Sequence, residues 1–185
     1  MSEVVIISGS PSLSSRSDRV LKYLGELLER EHFTIRHISI RDIPSDDLFQ
    51  GNYDSPSVQQ VANTLNHASG VIVGSPVYKA AYSGVLKALL DILPQDILQH
   101  KPALPLMTGG SPSHMLALEY TLKPLLATLK GQTLKGIYLL DSQIDKQKDN
   151  PIIDEDVWNR TKKQLSYFIE ILKKQELTTV ISNKA

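Results

Sequence analysis

The chain has 185 residues, 41% of them hydrophobic, with 20 basic and 20 acidic side chains and no cysteine. That length fits one domain with a sizeable core, and zero net charge gives no electrostatic reason to expect nucleic acid or an anionic membrane as partner. Without cysteine, disulfides, thiolate nucleophiles, Cys-ligated zinc and iron–sulfur clusters are excluded, so any redox chemistry must be carried by a bound organic cofactor.

The first element is the short apolar run 4–7 behind Met1-Ser2-Glu3. It lacks a basic leader and is too short for a signal peptide. No stretch approaches the about 18 apolar residues of a membrane span, and a cytoplasmic protein is expected. Residues 4–8 read as a β-branched strand ended by the turn Gly9-Ser10-Pro11. A helical face follows in Val20, Leu21, Leu24, Leu27 and Leu28, and its start is marked by Ser15 and Asp18 at capping-box spacing. Residues 33–40 alternate in polarity, as expected of a strand near the sheet edge. The polar stretch 41–56, with Pro44 and Gly51, predicts a long loop.

A helix is expected over 57–68, then a buried strand over 70–74 from the unbroken apolar run GVIVG. Leu86, Leu89, Leu90 and Leu93 mark a helix that Pro94 stops. Residues 103–108 form a further strand, and Met115, Leu118, Leu122, Leu125, Leu126 and Leu129 a further helix. The last strand is expected over 134–140 and the last helix over 154–174. Five strands alternating with five helices imply an α/β fold, a parallel sheet covered on both faces. One domain is expected over 1–177, with a loose tail over 178–185.

Ligands of open α/β sheets bind beyond the carboxyl ends of the strands. Three such ends are rich in glycine, serine and tyrosine. The first, Gly9 to Ser17, holds five serines and Arg16 ahead of a helix N-terminus, where free N–H groups favour an anion. It is neither G-x-G-x-x-G nor a P-loop, which suits a terminal phosphate monoester better than a pyrophosphate. The second, Ser75 to Ser83, begins with a proline-stiffened turn followed by Val77, Tyr78 and Lys79; a flat, hydrogen-bonding isoalloxazine ring needs such a wall. The bland alternative makes Tyr78 and Tyr82 ordinary half-buried packing aromatics. The third, Thr108 to His114, carries Gly109 and Gly110, which admit a ligand close to the backbone, while His114 reads otherwise as a helix-start histidine with a solvated ring.

These three segments, GSPSLSSRS, GSPVYKAAYSGVLKALLD and TGGSPSHMLALEYTLKPLL, in this order and spacing resemble those of NADPH-dependent FMN reductases. The branch they most resemble is the FMN reductase component of two-component sulfonate monooxygenase systems. The resemblance runs from residue 4 to about residue 143 and implies a flavodoxin-like three-layer sandwich of strand order 2-1-3-4-5. It implies that Ser10, Arg16 and Ser17 hold the FMN phosphate, that Pro76, Val77, Tyr78 and Lys79 line the ring, and that Gly109, Gly110, Ser111 and His114 close its other side. It further implies FMN and NADPH as cofactors, a homodimer or homotetramer with flavin sites near subunit contacts, loosely held flavin, and a flavin-dependent monooxygenase as partner.

Hydride would pass from the nicotinamide to flavin N5, which asks for stacking and charge stabilisation and for no side-chain acid, base, nucleophile or metal. No catalytic residue in that strict sense is therefore expected. A quinone or azo-dye reductase with resident FMN is the nearest alternative. A flavodoxin-type electron carrier fits less well with zero net charge, and a phosphoacceptor domain needs acidic residues at strand ends that here read Ile7-Ser8-Gly9 and Gly74-Ser75-Pro76. Pro124 lies inside an otherwise helical pattern and removes the N–H that Tyr120 C=O would accept from, so a kink or a π-bulge is expected there. The resembling reductases carry a tyrosine at the place of Tyr120, on such a bulge at a subunit contact near the flavin; the alternative is a simple kink with Tyr120 in the core.

Overall fold

The computed structural model describes residues 2–182. Strand β1 (Glu3–Ser8) pairs in parallel with β2 (Thr34–Ser39) on one side and β3 (Gly70–Pro76) on the other, and β4 (Pro102–Gly109) lies outside β3. The outer edge of β4 is filled by two short strands, β5 (Gln132–Thr133) and β6 (Ile137–Leu140). The order is therefore 2-1-3-4 followed by a split fifth position, the flavodoxin-like arrangement.

The split corrects the expectation of one continuous strand over 134–140. Gly136 sits at φ 87°, and a Cβ there would lie 2.8 Å from Pro105 Cγ. Pro105 also brings no N–H to the ladder at that point. The edge strand accordingly breaks opposite Pro105 and resumes at Ile137.

Side chains of β1 alternate between two cores, as a period of two requires. Val5 and Ile7 face α3 (Pro56–His67) and α4 (Gly84–Asp91), whose Val58, Leu65, Leu86 and Leu89 are buried with them. Val4 and Ile6 face α1 (Arg16–Arg30) and α7 (Glu155–Ser182) through Leu21, Leu24, Phe168 and Leu172. Both faces of the sheet are covered, which explains the unbroken apolar runs of β3 and β4.

Residues 41–56 are less irregular than expected. They hold a 3-10 turn (Ile40–Asp42) and a short helix, α2 (Ser45–Gln50), which ends at Gly51 with φ 66°. Helix α7 runs past its expected end to Ser182; residues 183–185 of the expected tail lie outside the described residues. No helix among the described residues is long and apolar enough to cross a membrane.

The segment around Pro124 is a helix in three pieces: α5 (Met115–Ala117), a π-helical turn (Leu118–Leu122) and α6 (Lys123–Thr128). The π-turn is the way this chain accommodates the missing N–H of Pro124. Tyr120 lies on it with 76% of its surface exposed, so the alternative that buries this ring in the core is corrected.

Candidate functional site

Strands β1, β3 and β4 are neighbours, so their carboxyl ends bring the three Ser- and Gly-rich loops side by side. Hydrogen bonds between loops fix that arrangement. Gly9 N–H donates to Gly74 C=O (2.7 Å), and the Ser83 hydroxyl donates to Gly9 C=O. Ser75 Oγ accepts from Ser83 N–H (2.9 Å), and Val77 N–H donates to Thr108 C=O (2.7 Å). Ser75 and Ser83 are buried, and their hydroxyls are used inside the scaffold.

In the first loop, Ser15 caps α1 by accepting from Asp18 N–H at 3.4 Å, and Ser15 and Ser17 share a hydroxyl bond of 2.8 Å. The reciprocal half of the expected capping box is not made: the Asp18 carboxylate turns instead to Arg41 (3.7 Å) and Lys22 (3.4 Å). Ser12 C=O and Ser15 N–H close a turn, and within it the N–H groups of Leu13 and Ser14 donate to no protein group among the described residues. With the free first-turn donors of α1 they form a run of N–H groups at a helix N-terminus, the donor set an anion requires. Arg16 is exposed beside them and makes no hydrogen bond or ion pair among the described residues. Ser10 and Ser17 are buried, Ser10 receiving a bond from Ser12 N–H (3.3 Å).

Two further cations hold the loop from outside. Arg41, just past β2, donates through one guanidinium nitrogen to Ser10 C=O (3.0 Å) and Ser12 C=O (3.1 Å). Lys146, on the connection after β6, donates to Ser14 C=O (3.0 Å) and Ser14 Oγ (2.6 Å). Neither residue is singled out by sequence reasoning. For Arg41 alone there is a weak signal, a cation just past a strand at the edge where ligands bind; Lys146 has none.

The second loop is a tight turn, with Tyr78 and Ala81 exchanging N–H···O=C bonds of 2.8 and 3.1 Å. Lys79 and Ala80 occupy its centre at φ 50° and 63°, a region that favours glycine. This narrows the donors expected from Pro76 to Lys79. Proline has no N–H, and those of Val77 and Tyr78 are already used, leaving Lys79 and next to it Ala80. Tyr78 is 46% exposed, while Tyr82 is half-buried against the core.

In the third loop a Cβ on Gly109 would come within 2.7 Å of Tyr138 Oη, so any larger residue there would displace the tyrosine hydroxyl. Tyr138 Oη in turn donates to Ser111 C=O (2.6 Å), anchoring the loop to β6. Burial, with the Asp141 carboxylate adding to it, pushes the Tyr138 hydroxyl above the usual tyrosine pKa and keeps it a donor. Gly110 is exposed. His114 is half-buried rather than solvated, and its Nδ1 is buried without a partner.

The twelve residues singled out from sequence thus fall into two groups. Eleven lie at the carboxyl edge of the sheet, on the three loops and, for Arg16 and Ser17, in the first turn of α1; Tyr120 lies beyond them on the π-turn. Among the described residues there is no cluster of ligands fit for a metal ion. The chemistry on offer is backbone donors at a helix N-terminus, flat backbone and aromatic walls, and the nearby cation Arg16.

Known proteins are similar to this chain in sequence and fold. The NADPH-dependent FMN reductase family matches residues 2–145. An FMN reductase (NADPH) of Pseudomonas putida is 49% identical over 76% of this chain and 72% of its own length. The FMN reductase (NADPH) of Escherichia coli K12 is 39% identical over 94% and 92%. Among solved structures, an NADH:FMN oxidoreductase, EMOB, in its apo form superposes with a TM-score of 0.81 at 34% identity, covering 91% of this chain and 88% of that one. With the flavodoxin-like sheet and the loop geometry, these matches show that the chain belongs to the NADPH-dependent FMN reductase family and is an oxidoreductase.

Proposed function

We propose that the chain reduces FMN with a nicotinamide cofactor at the three-loop edge and hands the reduced flavin to a flavin-dependent monooxygenase of the sulfonate-sulfur type. The observation that carries the first half is that, among the described residues, the N–H groups of Leu13 and Ser14 and the exposed Arg16 beside them have no partner. FMN, when bound, supplies a flat ring whose N5 accepts hydride. Ser10, Arg16 and Ser17 bind its phosphate. The Pro76–Lys79 turn lines one side of the ring and Gly109, Gly110, Ser111 and His114 the other. Lys79 N–H, and Ala80 N–H beside it, are the second loop's remaining means of stabilising negative charge.

The second half is supported by the motif resemblance to the sulfonate branch and by how open the edge is: Ser12, Leu13, Lys79, Ala80 and Gly110 are all exposed. An open edge suits a flavin that leaves. A quinone or azo-dye reductase with resident FMN would retain it instead. Steady-state oxidation of NADPH and of NADH with FMN, FAD and riboflavin as acceptors, together with flavin content after gel filtration, tests the reading. Turnover of added FMN by a protein that purifies largely flavin-free is expected. Stoichiometric flavin surviving filtration, with quinone reduction faster than FMN turnover, would replace it with the resident-flavin alternative.

A further inference from the structure

We propose that Arg41 is a positioning residue for the anion site. It turns Leu13 N–H toward the flavin phosphate by holding Ser12 C=O, and offsets the charge of Asp18 behind the loop. This rests on the phosphate reading of that loop and adds a residue to it.

The guanidinium reaches the loop from the neighbouring strand. Arg41 follows β2, which pairs with β1, and its Nη1 lies 3.0 Å from Ser10 C=O and 3.1 Å from Ser12 C=O. In a trans peptide the C=O and N–H point in opposite directions. Holding Ser12 C=O on the Arg41 side therefore turns Leu13 N–H the other way, and that N–H has no protein partner. A planar fork can grip carbonyls and a carboxylate at once, which a single ammonium does poorly.

The second task is electrostatic. Asp18 sits in the first turn of α1, its side chain only 10% exposed, beside the helix end read as the phosphate site. A bare buried carboxylate there would oppose an incoming dianion. Arg41 Nη2 stands 3.7 Å from Asp18 Oδ2, and Lys22 stands 3.4 Å from the same oxygen. With its donors on Ser10, Ser12 and Asp18, Arg41 acts through the loop, whereas Arg16 is free to meet the phosphate itself.

The test is equilibrium binding of FMN and of riboflavin, followed by fluorescence, to the parent, Arg41→Ala, Arg41→Lys and Arg16→Ala, with thermal melts of each. Arg41→Ala should lose FMN affinity by about tenfold or more, as for charge-assisted bonds, while riboflavin affinity stays at the parental level. Arg41→Lys should lose part of that selectivity, because it keeps the charge without the fork. A general loss of folding would lower both flavins together, so the FMN-to-riboflavin ratio isolates the positioning role. If Arg41→Ala does not fold, the ratio for Arg41→Lys decides. Parental ratios in the folded Arg41 variants, alongside a reduced ratio in Arg16→Ala, overturn the role of Arg41 and leave the phosphate site standing. Parental ratios in all three variants remove the phosphate site and this inference with it.

Discussion

Arg16 and Arg41 have the same side chain and opposite circumstances. Arg41 is tied to two carbonyls and a carboxylate, while Arg16 is exposed beside N–H groups that have no protein partner. An unpaired cation next to partnerless donors is the arrangement that a phosphate dianion completes. Arg16→Ala should therefore weaken FMN by about tenfold or more and leave riboflavin unaffected, because only FMN carries the dianion. Parallel titrations of the two flavins check this, and equal losses would take Arg16 out of the site. His114 shows how far a residue's surroundings escape sequence reasoning. The residue reads as a solvated helix start, yet the fold half-buries the ring and leaves Nδ1 without a partner.

At the scale of elements, the π-turn and α2 carry the distinguishing behaviour. That the helix is disturbed was legible from Pro124, but between a kink and a π-bulge only the structure decides, and it shows the π-turn. What the sequence could not show is that Tyr120 on that turn points to solvent, a large ring displayed on the single chain. We infer that it serves a subunit contact and tunes flavin release. Tyr120→Ala should then leave the melting of the isolated chain nearly unchanged, as exposed side chains do. It should purify with more bound flavin, release it slowly, and show an altered oligomer by light scattering. Parental flavin exchange and assembly would reduce the π-turn to a packing solution.

Helix α2 is tied to α3 through Asp47, which accepts from Ser57 Oγ (2.8 Å) and Asn52 Nδ2 (3.0 Å). The Ser57 bond, then those of Ser55 and Asn52, hold the carboxyl below its ordinary 3.8. The folded protein thus binds this proton less tightly than the unfolded chain. The stabilisation is complete above the unfolded value and is lost as pH falls through the lower folded one. Asp47→Asn should melt below the parent near neutral pH, and the gap should close as the pH drops below about 4. A gap that stays constant with pH would remove the ionised carboxylate from the account.

For the whole molecule, stability depends on covering both faces of one sheet. The α1/α7 face closes on Phe168, fully buried, whose ring would stand 3.0 Å from a Cβ at Gly70. Phe168→Ala leaves a cavity between α7 and the start of β3 and should cost about 3–5 kcal/mol, read from denaturant unfolding. A loss below about 1 kcal/mol would mean that this face collapses to fill the gap. Phe168 lies far along α7 from the loops, so flavin selectivity should survive in the folded fraction.

The sequence by itself determined the alternation of strands and helices, the two-faced sheet and the three loops at which the flavin site is proposed. Those follow from periods of two and 3.6, from turn residues and from the rule that ligands meet strand carboxyl ends, all of them local or topological. Tertiary structure alone decided the break in the edge strand, because Gly136 answers to Pro105, a residue of the neighbouring strand. It alone decided which loop donors are free, because Val77 N–H goes to Thr108 and Tyr78 N–H closes a turn on Ala81. It alone brought Arg41 and Lys146 onto the first loop, from 29 to 132 positions along the chain. A hydrogen bond between residues so far apart is fixed by how strands stack and helices pack, and no local pattern in the sequence records it.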